Sequence, residues 1–326
     1  MDTLKVENLH KRFPVKGGHH IFAVNGVGFS IRPGETLGLV GESGCGKSTV
    51  GRMIVRLTQP NEGELLFEGQ NLRHVKRKND RRLRREIQMV FQDPYGSLNP
   101  RKKVQDIIAE PMRLSGEKNK DFISEKVISI LKMVELNEGY LDKYPIQLTQ
   151  GEQQRVGVAR AFVTDPKLVV LDEPTSLLDI RFRGEIVLLL KKLQQEMGCS
   201  YLFISHDLNI VYQLSHRVAV MYLGRIVEEG DAEQVFRNPL HPYTKALLSA
   251  TLLPDPKQQR QEFFLKGEVP SPLDLSDNQC NFSARCPFAS ERCKSCLPEP
   301  VAVESGHKVS CFLSHPSFHG GGARPE

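Results

Sequence analysis

The segment from residue 41 to residue 49 has the composition and spacing of a phosphate-binding loop, or P-loop. It follows an apolar run at 36–40 and fits the pattern G-x-x-x-x-G-K-[ST]. Glycines let successive N–H groups turn toward one phosphate, and the N-terminus of the next helix adds partial positive charge. Lys47 is expected to reach the β- and γ-phosphates, and Ser48 to hold Mg²⁺. The predicted nucleotide-binding residues of this loop are Gly41, Glu42, Ser43, Gly44, Cys45, Gly46, Lys47, Ser48 and Thr49.

A second apolar run, at 168–171, ends in the two carboxylates Asp172 and Glu173. In a parallel α/β sheet the carboxyl end of such a strand faces the crevice where nucleotides bind. Asp172 is therefore predicted to hold Mg²⁺ through water, and Glu173 to polarise the attacking water as a general base. Two acids at this place could instead only cap the next helix, but the upstream P-loop favours the metal site.

Two further polar side chains, Gln92 and His206, also follow predicted strands. The Gln92 amide can bridge Mg²⁺ and water, and a neutral His206 imidazole can bind a γ-phosphate or orient the attacking water. Each has a simpler explanation, since a glutamine at a strand end is commonly solvated and a lone histidine is more often structural. We expect both to act with Glu173.

Apolar periodicity indicates the elements that position these residues. Alternation at 4–9 and 24–31 predicts a half-exposed antiparallel sheet, whereas the later segments alternate helix and strand as in a parallel α/β sheet. Further strands are predicted at 36–40, 63–68, 87–91, 167–171 and 200–204. Helices are predicted at 48 to about 57, 104–114, 122–134 and 180–197, with Asp121 as the N-cap of the third.

The expected fold class is therefore a mixed α/β P-loop ATPase core with an antiparallel edge sheet, a helical insertion at 95–147 and a small Cys-rich C-terminal appendage. The domain division places the ATPase at 1–253 and a loop-dominated C-terminal region at 254–326. The latter is rich in Pro, Asp, Gln and Cys and has few periodic segments.

Composition indicates a soluble globular protein. The chain has 326 residues, of which 25% are charged and 39% hydrophobic, with no apolar run long enough to cross a bilayer and no signal-peptide pattern. The net charge of +5 arises at residues 73–85, where eight Lys and Arg face one acidic residue. No aromatic residues interleave this run, so a solvated helix face is favoured over a nucleic-acid site.

Taken in order, these motifs resemble those of the ATPase subunit of an ABC transporter. The resemblance covers about residues 1–235 and includes two more segments, Leu-Thr-Gln-Gly-Glu-Gln-Gln-Arg at 148–155 and Ser-Leu-Leu-Asp at 176–179. It implies ATP and Mg²⁺ as ligands, a D-loop role for Asp179, and a helical subdomain near residues 93–160 that docks on membrane subunits. It also implies that Phe13 stacks on adenine, with Phe22 as the competing residue.

The segment at 148–155 corresponds to the signature of this family, which in each subunit contacts ATP bound by the other. Here Thr149, Gly151 and Glu152 are the implied contacts to the partner's ATP. Gln150 replaces a glycine of the usual Leu-Ser-Gly-Gly-Gln, and Glu152 replaces its glutamine. Thr149 keeps a hydroxyl and Gly151 an unobstructed N–H, so we interpret the motif as competent.

The segments at 238–248 and 267–272 resemble the oligopeptide/dipeptide/nickel branch of these ATPases. That resemblance implies a second related ATPase chain, two permease chains and an extracytoplasmic solute-binding protein, with this subunit peripheral on the cytoplasmic face of the inner membrane. The expected function is ATP-driven import of di- and oligopeptides. Alternatives are the same role for nickel or another small solute, or a soluble ABC protein acting on nucleic acid or ribosomes. The latter usually have two cassettes or long coiled-coil arms, which this sequence lacks, so no nucleic-acid partner is expected.

Five of the seven cysteines lie between residues 280 and 311. A reducing cytosol disfavours disulfides, so a metal site is the better explanation. The spacing C-x5-C-x6-C-x17-C matches the [4Fe-4S] pattern of some members of the branch. Cys296 is surplus and forms a C-x-x-C with Cys293 that would suit zinc, and the absence of any metal is a third alternative. The predicted cluster ligands are Cys280, Cys286, Cys293 and Cys311.

Overall fold

The computed structural model describes residues 1–75, 77–250, 263, 265–273, 275, 278–304 and 306–314. The domain boundary expected at 253/254 and the chain end at 315–326 lie outside these residues. Within them, no helix combines the length and apolar character that a membrane crossing requires.

An antiparallel sheet covers the N-terminal edge of the fold, as the alternating pattern predicted. Its described strands pair in the order β2–β1–β4–β5. In chain order they are β1 (Leu4–Pro14), β2 (His20–Ile31), β4 (Glu62–Phe67) and β5 (Gln70–Asn71).

The main sheet follows the order β11–β12–β10–β9–β3–β8–β7–β6 among the described strands. Strands β9, β3, β8, β7 and β6 run parallel, and the remaining three pair antiparallel at one edge. The strands are β3 (Thr36–Val40), β6 (Ile87–Val90), β7 (Leu168–Asp172), β8 (Ser200–Ile204), β9 (Arg217–Tyr222), β10 (Arg225–Asp231), β11 (Val301–Glu304) and β12 (His307–Val309).

The parallel register aligns the carboxyl ends of the central strands. Ile204 is opposite both Leu39 and Asp172, and Leu171 is opposite Val90. The residues after these strands therefore meet at one edge of the sheet, as expected for a nucleotide crevice.

Helices cover both faces of this sheet and form the insertion between β6 and β7. The described α-helices are α1 (Lys47–Ile54), α2 (Arg77–Glu86), α3 (Pro94–Ser97), α4 (Val104–Leu114), α5 (Lys120–Met133), α6 (Gln150–Phe162), α7 (Ile180–Met197), α8 (Leu208–Leu214), α9 (Ala232–Arg237), α10 (Pro242–Ser249) and α11 (Glu291–Ser295). Short 3₁₀ turns lie at Leu72–His74, Glu138–Tyr140, Pro145–Gln147 and Phe312–Ser314.

The helical insertion begins near residue 93, as predicted, and α4 has the predicted bounds. The expected N-cap of α5 was wrong. Asn119 caps this helix, because its side chain accepts from the N–H groups of Asp121 and Phe122. Asp121 lies in the first turn instead, where its negative charge is favourable to the helix dipole.

The C-terminal region is joined to the core through a buried carboxylate, a connection that the sequence did not predict. Strand β12 pairs with β10 and extends the main sheet. At this junction Glu228 accepts from the backbone N–H groups of Leu240 and His241, and its Oε1 lies 2.8 Å from Nε2 of His307. Both acidic and imidazole side chains are buried, so each relies on the other for a polar partner.

Candidate functional site

The P-loop has a backbone that only glycine tolerates at two positions. Gly41 and Gly46 have φ angles of +152° and +107°. A Cβ at Gly41 would lie 2.1 Å from the carbonyl oxygen of Met221, and one at Gly46 would lie 2.0 Å from that of Ala23. The loop is therefore pressed against neighbouring backbone, which fixes its curvature before any ligand binds.

Lys47 begins helix α1 and folds back over the loop. Its Nζ donates to the carbonyl oxygens of Gly41 at 2.8 Å and Glu42 at 2.9 Å. Cys45 lies below it, 3.6 Å from Nζ, in a buried position that raises the pKa of the thiol. The ammonium group is thus held over the concave side of the loop, where a phosphate would bind.

Ser48 and Asp172, which were both predicted to hold Mg²⁺, meet at the edge of the sheet. The Ser48 hydroxyl donates to Oδ1 of Asp172 at 2.8 Å. Burial raises the pKa of the Asp172 carboxyl, and the hydrogen bond from Ser48 opposes that shift. Paired hard oxygen donors of this kind fit Mg²⁺, which binds through one or two protein groups plus phosphate and water.

Glu173 is held between the two polar residues that were predicted to act with it. Gln92 Nε2 donates to Oε2 of Glu173 at 3.0 Å, and His206 Nδ1 lies 3.2 Å from Oε1. Glu173 also has a left-handed φ of +47°, and its N–H donates to the carbonyl of Ile204. Such a strained backbone commonly marks a functional site, and here it aims the carboxylate beside Ser48 and Asp172.

Comparison with known proteins agrees with this arrangement. Residues 24–176 match the family described as ABC transporter, and residues 227–293 match the C-terminal region of oligopeptide/dipeptide transporters. The chain is 42% identical over 319 residues to the oligopeptide transport ATP-binding protein AppF of Bacillus subtilis, covering 95% of this chain and 97% of that one. It is 43% identical over 314 residues to the dipeptide transport ATP-binding protein DppF of Escherichia coli, covering 95% and 93%.

The chain belongs to the ATP-binding proteins of the oligopeptide/dipeptide ABC transporter family. The fold agrees, since the dimeric structure of the cassette MJ0796 bound to ADP and Pi matches 70% of this chain and 98% of that one, with a TM-score of 0.64 and 30% identity. Within this family the chain is an ABC-type ATPase, whose ligands are ATP and Mg²⁺.

The ABC signature begins helix α6 and is built around a capping box. Thr149 Oγ1 accepts from the N–H of Glu152, and Glu152 Oε2 accepts from the N–H of Thr149 at 2.7 Å. Tyr140 donates to the other carboxylate oxygen. Burial opposes ionisation of Glu152, but these hydrogen bonds outweigh it and hold the pKa of the carboxyl below its usual value. The atypical Glu152 is thus occupied inside its own subunit, a role that the pattern T-x-x-E could have indicated.

Gly151 is half-buried at the start of α6, and Asp179 is exposed just before α7. Among the described residues, the signature makes no hydrogen bond to the P-loop of its own chain. A Cβ at Gly151 would be 3.9 Å from the exposed ring of Phe182, and Asp179 begins α7 beside it. Gln150 is exposed as well.

Phe13 lies near the end of β1 with 39% of its surface exposed, and Lys11 Nζ lies 5.0 Å from its ring centre. Phe22 is less exposed, and its N–H donates to the carbonyl of Pro272. The exposed face of Phe13 leaves it the better placed of the two for stacking on a base.

Sequence reasoning missed two residues that contact the P-loop from the C-terminal part of the chain. The N–H of Glu42 donates to the Tyr243 hydroxyl at 2.8 Å, and Arg285 donates twice to the Glu42 carboxylate. Tyr243 belongs to the His-Pro-Tyr motif at 241–243, which was an available signal. Nothing in the local pattern around Arg285 indicated its contact.

Four cysteines, Cys280, Cys286, Cys293 and Cys311, line one cavity of about 20 Å³. Cys296 is exposed and does not line it. Burial raises the pKa of Cys280 to about 11 and that of Cys311 to about 12. In the described part of the chain, no three His, Cys, Asp or Glu residues have the geometry to hold one metal ion. The thiols are thus neighbours without forming a ready-made single-ion site, and a cluster would need this small cavity to widen.

The P-loop geometry predicts that Gly46→Ala abolishes ATP binding, because the new Cβ would overlap the Ala23 carbonyl at a φ of +107°. Equilibrium titration with ATP, together with thermal unfolding, measures this. The matched control is Gly184→Ala, which lies within α7 with open space around its Cβ position. The control should bind ATP normally and gain up to about 1 kcal/mol of stability. Equal ATP affinity in both variants would contradict the P-loop geometry.

Proposed function

We propose that this chain is the ATP-hydrolysing subunit of an importer of di- and oligopeptides. The observation that carries the proposal is the placement of Glu173 between Gln92 and His206, next to the Ser48–Asp172 pair. The peptide substrate is supported by the names of AppF and DppF, which match nearly the full length of the chain. The subunit would work at the cytoplasmic face of the membrane, peripherally, through its permease partners.

In this proposal each residue has a defined task. Lys47 exchanges its two loop carbonyls for the β- and γ-phosphates, and the loop N–H groups bind the same phosphates. Ser48 and Asp172 would hold Mg²⁺, Asp172 through water, and Gln92 would be a further ligand; the bound ion would neutralise charge on the phosphates. Glu173 takes a proton from the attacking water, and His206 orients the water and the γ-phosphate.

A second ATPase chain would complete the site. The partner's signature would face the ATP bound by this chain, and Thr149 and Gly151 of this chain would face the partner's nucleotide. Support comes from the exposed apolar side chains Leu177, Ile180 and Phe182, which surround Asp179 with 46%, 84% and 46% exposure. Apolar surface of this kind next to the signature is suited to an interface. The related cassette MJ0796 was solved as a dimer with ADP and Pi. We propose a related but different chain as the partner, forming a heterodimer that serves two permeases and an extracytoplasmic binding protein.

A groove between the core and the helical insertion is the proposed docking site for a permease. This cavity, of about 240 Å³, is lined by Leu57, Phe91 and Leu114 among others. Leu57 and Leu114 are 59% and 72% exposed. Phe91 is followed directly by Gln92, which contacts Glu173. A permease segment bound in this groove would contact Phe91. A movement of Phe91 would then shift the next residue, Gln92, and its hydrogen bond to the proposed base Glu173.

The proposed function predicts that Glu173→Gln retains ATP binding but slows hydrolysis by about a hundredfold or more, because the general base is lost. ATP binding and turnover are measured on the purified assembly. In a strain that lacks the gene, the wild-type chain should restore growth on peptides as the source of a required amino acid, and Glu173→Gln should not. Parental hydrolysis in the variant would overturn the assignment of the base. Wild-type growth of the deletion strain on peptides would count against peptide import.

The docking groove predicts that Leu114→Asp preserves ATP binding and reduces the stimulation of ATPase activity by the permeases. An aspartate there would remove an apolar contact and place a new carboxylate beside the arginines that line the groove, Arg81 and Arg84 among them. The control is Leu188→Asp, a similarly exposed leucine on α7 that does not line the groove. Stimulation is measured as the ratio of turnover with and without permeases in lipid vesicles. Equal stimulation in the two variants would rule out the groove as the docking site.

We also propose that the four cysteines of the cavity hold a metal centre, in the form of a [4Fe-4S] cluster. Support comes from their common cavity and from the softness of thiolate ligands. The ligands of a cluster bind four different irons and need not converge on one point, which a single zinc ion would require. The metal would be a structural centre that stabilises a region with few periodic apolar segments.

This proposal predicts a brown protein with iron and sulfide in near-equal amounts after anaerobic purification. Cys286→Ser should abolish the colour, whereas Cys296→Ser should retain it, because Cys296 does not line the cavity. Zinc in place of iron would refute the [4Fe-4S] cluster but would support a structural metal at the four cysteines. Five freely reactive thiols and no metal would refute both.

A further inference from the structure

Glu42 is held by three separate contacts, each to a different part of its structure. Its N–H donates to the Tyr243 hydroxyl at 2.8 Å, and its carbonyl accepts from Lys47 at 2.9 Å. Its carboxylate accepts from Arg285 at 2.8 and 3.1 Å, one bond to each oxygen. A two-pronged guanidinium–carboxylate pair fixes both position and orientation. The first variable residue of the P-loop is thus fixed from the C-terminal part of the chain.

The two side chains that bind Glu42 from the C-terminal part of the chain, Arg285 and Tyr243, are themselves buried and tightly packed. Arg285 is 7% exposed and Tyr243 is fully buried. Phe282, three residues before Arg285, packs against Tyr222 and Tyr243 with ring centres 5.2 and 5.6 Å apart. The Arg285 guanidinium lies 5.8 Å from the Tyr222 ring. Rigid packing of this kind restricts the positions that Arg285 can adopt.

The charge of Glu42 explains why such a partner matters. A carboxylate in the loop that receives a polyphosphate repels that ligand, unless a cation neutralises it. Lys47 bonds to the backbone of Glu42 and must serve the phosphates, whereas Arg285 pairs with the Glu42 side chain. Tyr243, in turn, fixes the direction of the peptide group that joins Gly41 and Glu42.

We infer that Arg285 and Tyr243 are positioning residues of the ATP site: they hold the P-loop in its nucleotide-binding form and neutralise Glu42, so that the C-terminal region is needed for ATP affinity. The inference rests on the proposed binding of ATP at this loop. The hydrogen bonds that these two residues make to the P-loop go to Glu42. Both act through Glu42, and the chemistry at Glu173 is left unchanged.

The test compares ATP affinity and steady-state kinetics in variants of the full assembly. Arg285→Ala should weaken ATP binding about tenfold and raise KM with little change in kcat, because the Glu42 carboxylate is left unpaired beside the phosphates. Adding Glu42→Gln to that variant removes the repelling charge and should restore most of the affinity. Such a rescue is not expected if Arg285 only stabilises the fold. Arg292→Ala is the control, since Arg292 lies over the Phe312 ring in the same region.

Tyr243→Phe keeps the ring packing and removes only the acceptor of the Glu42 N–H, so it decides the case if Arg285→Ala does not fold. It should weaken ATP binding by about three- to tenfold. Wild-type affinity in Tyr243→Phe and in folded Arg285→Ala, or affinity lost in Arg285→Ala without rescue by Glu42→Gln, would overturn the inference. Failure of the wild-type assembly to bind ATP would instead overturn the proposed function.

Discussion

The parallel pairing of β3, β8 and β7 is the constraint on which the ATP site depends. It brings the end of the strand before the P-loop level with Ile204 and Asp172. Ser48 can then reach Asp172, although the two residues are 124 positions apart in the chain. The same register lets Glu173 donate its N–H to Ile204, which turns its side chain toward Gln92 and His206. A shift of one residue between these strands would move Ser48 out of reach of Asp172 and turn alternate side chains to the opposite face of the sheet.

The parts of the site that were predictable from sequence are those with a local pattern. The P-loop glycines, the paired carboxylates and the strand ends are read from neighbouring residues. The strands and helices that were given bounds lie within a few residues of them, except that β1 runs five residues further than predicted. Asp121 was mistaken for a cap because Asn119, two residues earlier, competes for the same role. The capping box of Thr149 and Glu152 was also predictable from the pattern T-x-x-E. Glu152 was instead interpreted only as a departure from the family signature.

The parts that were not predictable depend on contacts between distant segments. Tyr243 and Arg285 are 201 and 243 residues from Glu42. Neither periodicity nor motif spacing contains information on such a pairing, since it arises only when the C-terminal region packs on the sheet. The buried Glu228 contributes to that packing by bonding to His307 and to the backbone before α10. The C-terminal region is therefore joined to the ATPase core by polar contacts and by the packing of Phe282 against Tyr222 and Tyr243.

We propose that a complete ATP site requires two chains, because the signature makes no hydrogen bond to the P-loop of its own chain among the described residues. Turnover per chain, measured for the purified subunit over a wide range of concentration, tests it most directly. If two chains form the site, turnover per chain should fall toward zero on dilution and rise when the partner ATPase is added. Full activity that does not change with concentration, in a preparation shown to be monomeric, would contradict it.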